Sequence, residues 1–584
     1  MRIKHFFGLA VLAAMTASCS SNNDLVNGGN GSGENESGAS YASITIDLPT
    51  TSGTRAADDP EFNPGSANEY AVNDATLLIF KKAGKSENDY TFVETAPLGN
   101  LEPWKKDNTN GITTEATITA ELKQASVGED GEYYALVILN NTDKDNKDKV
   151  SMPSSTDTYG TWNAAATVKN LIDYEKGFYM ANAPEFKAAD QEPTTLVQIK
   201  GIYRTKEEAH SKPGATVHVE RGLAKVTVGS SSTNDYFATA GANATGNKYK
   251  SDNVKIQSWA LDVINQYSFP VHVTAGLKGG LTSTSLTIPS YPEIWSNIDG
   301  KTDRFVSQVS ATGAFKRVYW GIDPNYSMDL SDVAKCGKQF TLAKADGSPV
   351  TWMNGSGSDH PLYCLENTFD IAHMKQGQTT RVLVKATYTP SAVATETDKT
   401  FFMIGNSSDI WTVTTLAEQI KSKAEEILGT TSGVKVTLNK EIKAAGTHVL
   451  DAKNVTIMSG EDDKTSAIVD QINNKLGFDL SKGVGIKTYK DGESYYIARI
   501  KHFGDDFTKW NPGESYGTDN EKYLGRYGVL RNNWYDLTVN SINGPGYPDV
   551  PEVKPNTPDD EDTKYINVSV KILDWAKRSQ DVNL

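Results

Sequence analysis

Two stretches near the ends of the chain share one pattern. From position 41 to 48 the apolar residues Ala42, Ile44, Ile46 and Leu48 alternate with Tyr41, Ser43, Thr45 and Asp47. From 566 to 572 the apolar Ile566, Val568, Val570 and Ile572 alternate with Asn567, Ser569 and Lys571, and Trp575 follows shortly after. A period of two is that of a strand with one face made for burial. The body between them continues in the same style. Short runs rich in β-branched and aromatic residues predict strands over 74–80, 112–122, 133–139, 254–267, 379–388, 495–500 and 535–542. The run 217–228 predicts two strand pieces. Asn140-Asn141 signals a turn, and Gly229 with the serines after it punctuates the chain near 230, where a domain boundary is expected. The pattern predicts a mainly β protein.

Helical spacing appears in few places. A short helix is predicted around 164–172. Thr415 with Glu418 reads as a capping box, followed by Leu416, Ile420, Ala424, Ile427 and Leu428 at helical spacing and Gly429 as the stop. A second helix is expected over 466–476, with strands at 434–438 and 455–458 between the two. The segment 405–487 therefore predicts a small α/β insertion in a β domain.

The two alternating strands have telling neighbours. Ahead of the terminal one, 545–562 is rich in proline and acid (Pro548, Pro551, Pro555, Pro558, then Asp559 to Asp562), which predicts an extended, solvated tether. Soon after the first strand comes Arg55-Ala56 in a small, polar run of the kind proteases reach. A cut after Arg55 would remove the first strand and leave a groove flanked by unpaired backbone groups, a state proteins otherwise avoid. The terminal strand has the pattern to fill such a groove in a neighbouring molecule by strand addition. Together the ends suggest a subunit that polymerises after processing.

Residues 1–18 carry basic Arg2 and Lys4, an apolar stretch too short for a stable bilayer span, and small residues before Cys19, the features of an export signal. Small residues directly before a cysteine resemble the lipobox of bacterial lipoproteins; Thr16 stands where that motif has leucine, and an ordinary signal peptide is the alternative. The Asn/Gly/Ser/Glu-rich 20–40 predicts a flexible tether.

Composition narrows the partners. A length of 584 residues suggests about four average domains, fewer if they are β-sandwiches. A net charge of -15 argues against nucleic acid or anionic lipid as a partner. Beyond Cys19 only Cys336 and Cys364 remain, enough for one disulfide or two separate buried thiols. Catalytic, cofactor and metal motifs are lacking: there is no HExxH, CxxC pair, GxSxG or P-loop, and the 8 histidines are scattered. Asp143 to Asp148 resembles a calcium loop but lacks its glycine and closing glutamate, so a solvated loop is expected. Ser356, Asp359 and His360 are read as a polar loop. Trp104, Trp162, Trp259, Trp320 and Trp534 suit either a glycan platform or β-domain cores.

With Cys19, Arg55-Ala56, Arg221-Gly-Leu-Ala-Lys-Val-Thr-Val228, Gly528-Val-Leu-Arg-Asn-Asn-Trp-Tyr-Asp-Leu537 and the linker into Val568-Ser-Val-Lys-Ile-Leu-Asp-Trp575, the chain resembles the fimbrilins of Bacteroidales type V pili, most similar to shaft subunits of the short fimbria. Residues 178–182, 363–368 and 401–402 are weaker signatures of the same resemblance. It implies two transthyretin-like Greek-key β-sandwich domains (56–230, and 231–544 holding the insertion), a linker at 545–562 and a donor strand at 563–584. It also implies export as an outer-membrane lipoprotein through Cys19 and a cut at Arg55 by an arginine-specific protease, removing propeptide 19–55. Polymerisation with identical subunits would follow, with accessory tip and anchor fimbrilins as partners. Adhesion, colonisation and biofilm formation are the implied roles, with neither enzyme activity nor cofactor. A tip or anchor subunit, or a surface glycan-binding lipoprotein, is the alternative.

Overall fold

The computed structural model describes residues 39–48, 66–99, 101, 106–107, 111–112, 115–127, 132–165, 168–185, 193–212, 214–231, 233–246, 248–274, 318, 320–502, 523–559, 566–573 and 578–579. Among them the protein is mainly β, as expected.

The first ten strands are β1 (Ser40–Asp47), β2 (Ala75–Lys81), β3 (Thr91–Pro97), β4 (Lys106–Asp107), β5 (Gly111–Ile112), β6 (Glu115–Leu122), β7 (Tyr133–Leu139), β8 (Met180–Asn182), β9 (Val197–Gln198) and β10 (Ala215–Arg221). Apart from the small β4–β5 pair they form one sheet in the order β3-β2-β7-β8-β10-β1-β6, with β9 on β7. Their apolar residues make one core, which includes Ile44, Leu77, Val137, Tyr179 and Val217. The chain leaves this core at Gly222. A Cβ there would lie 3.1 Å from the Tyr179 ring, so the bare backbone suits this crossing point. Leu223 still belongs to the first core, and Ala224 to the second.

The second core begins with β11 (Leu223–Ser230), β12 (Ala242–Asn243), β13 (Asn253–Asp262), β14 (Ile264–Asn265), β15 (Phe340–Thr341), β16 (Trp352–Met353), β17 (Leu362–Leu365) and β18 (Arg381–Thr389). After β19 (Phe401–Ile404) come the strands of the insertion, β20 (Val434–Leu438), β21 (Gly446–His448), β22 (Val455–Ser459) and β23 (Asp462–Asp463), then β24 (Ile486–Tyr489), β25 (Glu493–Arg499), β26 (Trp534–Ile542), β27 (Ile566–Leu573) and β28 (Arg578–Ser579). Two sheets, β17-β11-β26-β27-β28 and β12-β13-β18-β25, place residues such as Val226, Leu537, Trp259 and Val384 in one shared core.

The insertion has a core of its own. Leu416, Ile420 and Ala424 of the helix Val413–Leu428 meet Ile468, Val469 and Ile472 of the helix Thr465–Leu476, with Val455 and Ile457 from β22. Gly429 ends the first helix at φ 66, a left-handed conformation glycine adopts without a Cβ penalty. The cap differs from expectation: Thr412, not Thr415, is the N-cap, and Thr415 returns the bond to the Thr412 backbone N–H. The helix expected at 164–172 is instead Tyr159–Ala165, followed by a single 3-10 turn at Asn170–Ile172.

The proline-acid segment is the largest departure. Over 545–559 it is a strap packed in two small apolar clusters beside the second core, with Ala260, Leu383 and Ile497 around Val550 and Leu330, Cys336 and Phe340 around Val553, not a solvated tether. Val550 and Val553 are buried. The Tyr495 and Tyr547 backbones exchange N–H bonds of 2.9 and 2.7 Å. Arg381, paired with Asp262, donates to the Pro551 carbonyl at 2.7 Å. The strap ends at Asp559, whose carboxylate lies 3.3 Å from the Arg499 guanidinium and accepts from Thr379, with neither charged group exposed beyond 1%. Composition signals solvation only while the acids lack internal partners, and here buried arginines supply them. Cys336 and Cys364 are two separate buried thiols, which burial pushes up to about 11 and about 12 respectively.

Candidate functional site

The groove around β1 is the best-defined candidate. On one edge β1 runs parallel to β10, with Ile44 opposite Ala215 and Ile46 opposite Val217. On the other it runs antiparallel to β6 along its whole length, from Ser40 opposite Leu122 to Asp47 opposite Glu115. Tyr41 and Tyr203 exchange two backbone bonds of 2.8 Å each, and the Thr45 and Thr117 hydroxyls meet at 2.9 Å on the outer face. The inner face holds Ala42, Ile44, Ile46 and Leu48, none more than 1% exposed. β1 is thus an interior strand although it lies near the start of the chain, and among the described residues β6 joins the sheet through β1 alone.

The terminal strand occupies a different kind of position. β27 pairs antiparallel with β26, with Ile566, Val568, Val570 and Ile572 opposite Ile542, Val539, Leu537 and Tyr535. Those four β26 residues are fully buried in the second core. On its other edge, among the described residues, β27 meets only the two residues of β28. The terminal strand therefore lies along its own molecule. Cys19, Arg55, Ala56 and Trp575, the remaining residues singled out by sequence, lie outside the described residues.

A polar cluster that sequence reasoning missed ties the two cores together at the start of the described stretch 66–99. Glu69, in the short helix Ala67–Tyr70, is buried and 2.7 Å from Lys225 of β11. It accepts from Tyr363 of β17 at 2.5 Å and from the Ser66 N–H at 2.8 Å, while Arg221 donates to its carbonyl at 2.6 Å. Lys225 also lies over the Trp534 ring, 3.9 Å from its centre. Burial works against the Glu69 charge, but Lys225, Tyr363 and the Ser66 N–H outweigh it and hold the carboxyl below its usual range. Partners this distant in sequence carry no local signal.

The other sequence candidates have structural roles. Asp143 accepts from the N–H groups of Asp145 and Lys147 at 2.9 and 2.8 Å, closing its own turn. His360 meets the Ser356 carbonyl at 3.0 Å. Trp162, Trp259, Trp320 and Trp534 are buried, which removes them from a glycan platform, and Trp104 lies outside the described residues. Among the described residues no group of three His, Cys, Asp or Glu is placed to hold a metal, and no helix is long and apolar enough to cross a membrane. The chemistry on offer is strand pairing.

The region from β24 through β28 contains the terminal strand, its β26 partner and the strap. Residues 487–581 match a family model described as major fimbrial subunit protein type IV, fimbrillin, C-terminal. This fimbrillin-like region thus includes all of β27 and both flanks of the strap. No curated protein matches the sequence. Among solved structures, a candidate cell adhesion protein from Parabacteroides distasonis is 11% identical, with a TM-score of 0.36 and coverage of 93% of this chain and 98% of that one. Another from Bacteroides eggerthii is 11% identical, with a TM-score of 0.32 and coverage of 94% and 98%. A fimbrial assembly protein from Parabacteroides distasonis is 12% identical, with a TM-score of 0.24 and coverage of 56% and 98%.

Proposed function

We propose that the protein is a structural subunit of a cell-surface fimbria, built by strand exchange after proteolysis. It is exported as an outer-membrane lipoprotein through Cys19, with β1 seated in its own groove. An arginine-specific protease cuts between Arg55 and Ala56 and frees β1 with the lipid. The strand Ile566 to Ile572, with Trp575, then leaves its own β26 and enters the groove of the next copy. Observations at both ends support this reading: a first strand buried between β6 and β10, and a terminal strand of matching pattern covered on its outer side by the two-residue β28, within a fimbrillin-like region. The observation that carries it is the burial of Ala42, Ile44, Ile46 and Leu48, because a cut that removes them leaves an apolar slot that only another alternating strand fills.

On this reading the two cores are two Greek-key β-sandwich domains that meet at Gly222 and not at the boundary near 230 expected from sequence, because β11 (Leu223–Ser230) pairs with β17 and β26 of the second, with accessory tip and anchor subunits completing the fibre. Having both a cut site and a donor favours a shaft position: an anchor has no reason to shed its lipid, and a tip does not need to donate and accept alike. On this reading the chain itself catalyses none of these steps.

The test is the N-terminal sequence of protein sheared from cells, with the same sample run unheated on a denaturing gel. An N-terminus at Ala56 with a ladder of detergent-resistant multimers is expected. A lipid-blocked Cys19 with a single monomer band would overturn the reading in favour of an anchored surface lipoprotein.

A further inference from the structure

If β1 leaves, β6 loses the one ladder that joins it to the sheet among the described residues, and the groove loses a wall unless something else holds that strand. The structure supplies a holder. Glu94 lies on β3, at the opposite end of the strand order, and is only 6% exposed. One carboxylate oxygen accepts from the N–H groups of Gln124 and Ala125, each at 2.8 Å, and the other from Lys123, also at 2.8 Å. These residues directly follow β6. Three backbone donors converging on one carboxylate form charge-assisted bonds, stronger than neutral ones.

The backbone of β3 is shaped for this. The β2–β3 register breaks so that Ile79 faces Glu94 while Phe80 faces Phe92, leaving Val93 as the extra residue of a bulge. A bulge re-aims the side chains beside it, and the residue beside this one reaches across to the far end of the sheet. Leu122, just before the clasped amides, and Ala125, the last of them, are buried, so the clasp is anchored in the first core.

We propose that Glu94 is a positioning residue for strand acceptance: it keeps the end of β6 in place while the groove is empty, so that a strand from a second copy of this chain meets a formed acceptor. This rests on the exchange reading above, and it places the control of assembly in a residue that touches neither the outgoing nor the incoming strand.

The experiment uses the full chain cut at Arg55, a labelled synthetic peptide of residues 563–584 as probe, and hydrogen exchange on cut and uncut protein. In the cut wild type, the amides of 123–125 should stay protected while those of 115–121 become exchangeable. Glu94→Ala should be cut normally yet capture the peptide about tenfold more weakly, the scale of one lost charge-assisted contact. Glu94→Gln, which keeps an acceptor oxygen, should fall between. Equal capture by Glu94→Ala and wild type, or exchange at 123–125 as fast as at 115–121 in the cut wild type, would overturn the proposal. The exchange profile reads the clasp even where Glu94→Ala fails to fold. A cut wild type that captures no peptide while 123–125 stay protected would instead overturn the exchange reading and leave the clasp as a structural contact.

Discussion

β1 and β27 have nearly interchangeable sequences and opposite situations. Both alternate four aliphatic residues with polar ones, but β1 has a full ladder on one edge, a four-residue ladder and the Tyr41–Tyr203 bridge on the other, and its apolar residues closed off in a core, whereas β27 has a full ladder on one edge and a two-residue strand on the other. The difference teaches that alternation specifies a strand able to be buried, while the number of ladders specifies how hard it is to remove. A strand held along one edge peels off one hydrogen-bonded pair at a time; one held on both edges leaves only when its connection is cut and its slot opens.

The comparison is most directly broken by placing charge in each strand. Replacing Ile44 and Ile46 with Asp should prevent the first core from forming at all, since unpaired charge in a packed interior costs several kcal/mol per group; circular dichroism and denaturant melts would show it. The same change at Val568 and Val570 should leave a folded monomer with an almost unchanged melt and no multimer ladder on an unheated gel. Wild-type fibres from the second variant would remove the donor role of β27. Next in size, Arg55→Ala should retain β1 and accumulate as uncut monomer; normal fibres from it would detach assembly from processing.

A local effect is expected at the strap. Asp559→Ala strands the buried Arg499, a change of about 3–5 kcal/mol for a broken buried pair, and should speed hydrogen exchange across 545–559 while leaving β1 protected. Unchanged exchange there would mean that Val550 and Val553 alone hold the strap. The smallest effect concerns pH. Because the folded Glu69 carboxyl is held below its unfolded value, its contribution is complete above about pH 4.5 and is lost as pH falls through the lower, folded value. Melts of the wild type and Glu69→Gln between about pH 6 and 3 should therefore converge at the acid end, and parallel curves would assign the stability of the junction to Arg221 and its neighbours.

Much of the fold was legible in the sequence because it rests on local periodicity. The predicted 133–139 and 434–438 coincide with β7 and β20, and the two pieces over 217–228 are β10 and β11 broken at Gly222. The four residues of β1 are buried as their alternation implied. What stayed hidden depends on partners far along the chain. Pro551 and Asp559 read as solvent-facing because nothing nearby offers them a donor, yet Arg381, Arg499 and Thr379 arrive from β18, β25 and the approach to β18. Glu94 follows a bulge at Val93 and accepts from residues 123–125, about thirty positions on, so nothing near it in the sequence marks its role. The cap at Thr412 has a simpler reason: Thr415 with Glu418 fits the usual capping-box motif, whereas at Thr412 the third helical residue is Thr415, whose hydroxyl takes the place of the Glu carboxylate.

The strap has a mechanical consequence. In a fibre of the proposed kind, tension enters each subunit through its terminal strand and must cross the strap to reach the second core. Among the described residues the Asp559–Arg499 pair is the buried anchorage nearest the terminal strand on that route, so a pull loads this pair before it reaches Val553 or Val550. Parting a charged pair that is sealed from water uncovers an unpaired charge, so a shaft made of such joints passes tension from subunit to subunit without unravelling the second core.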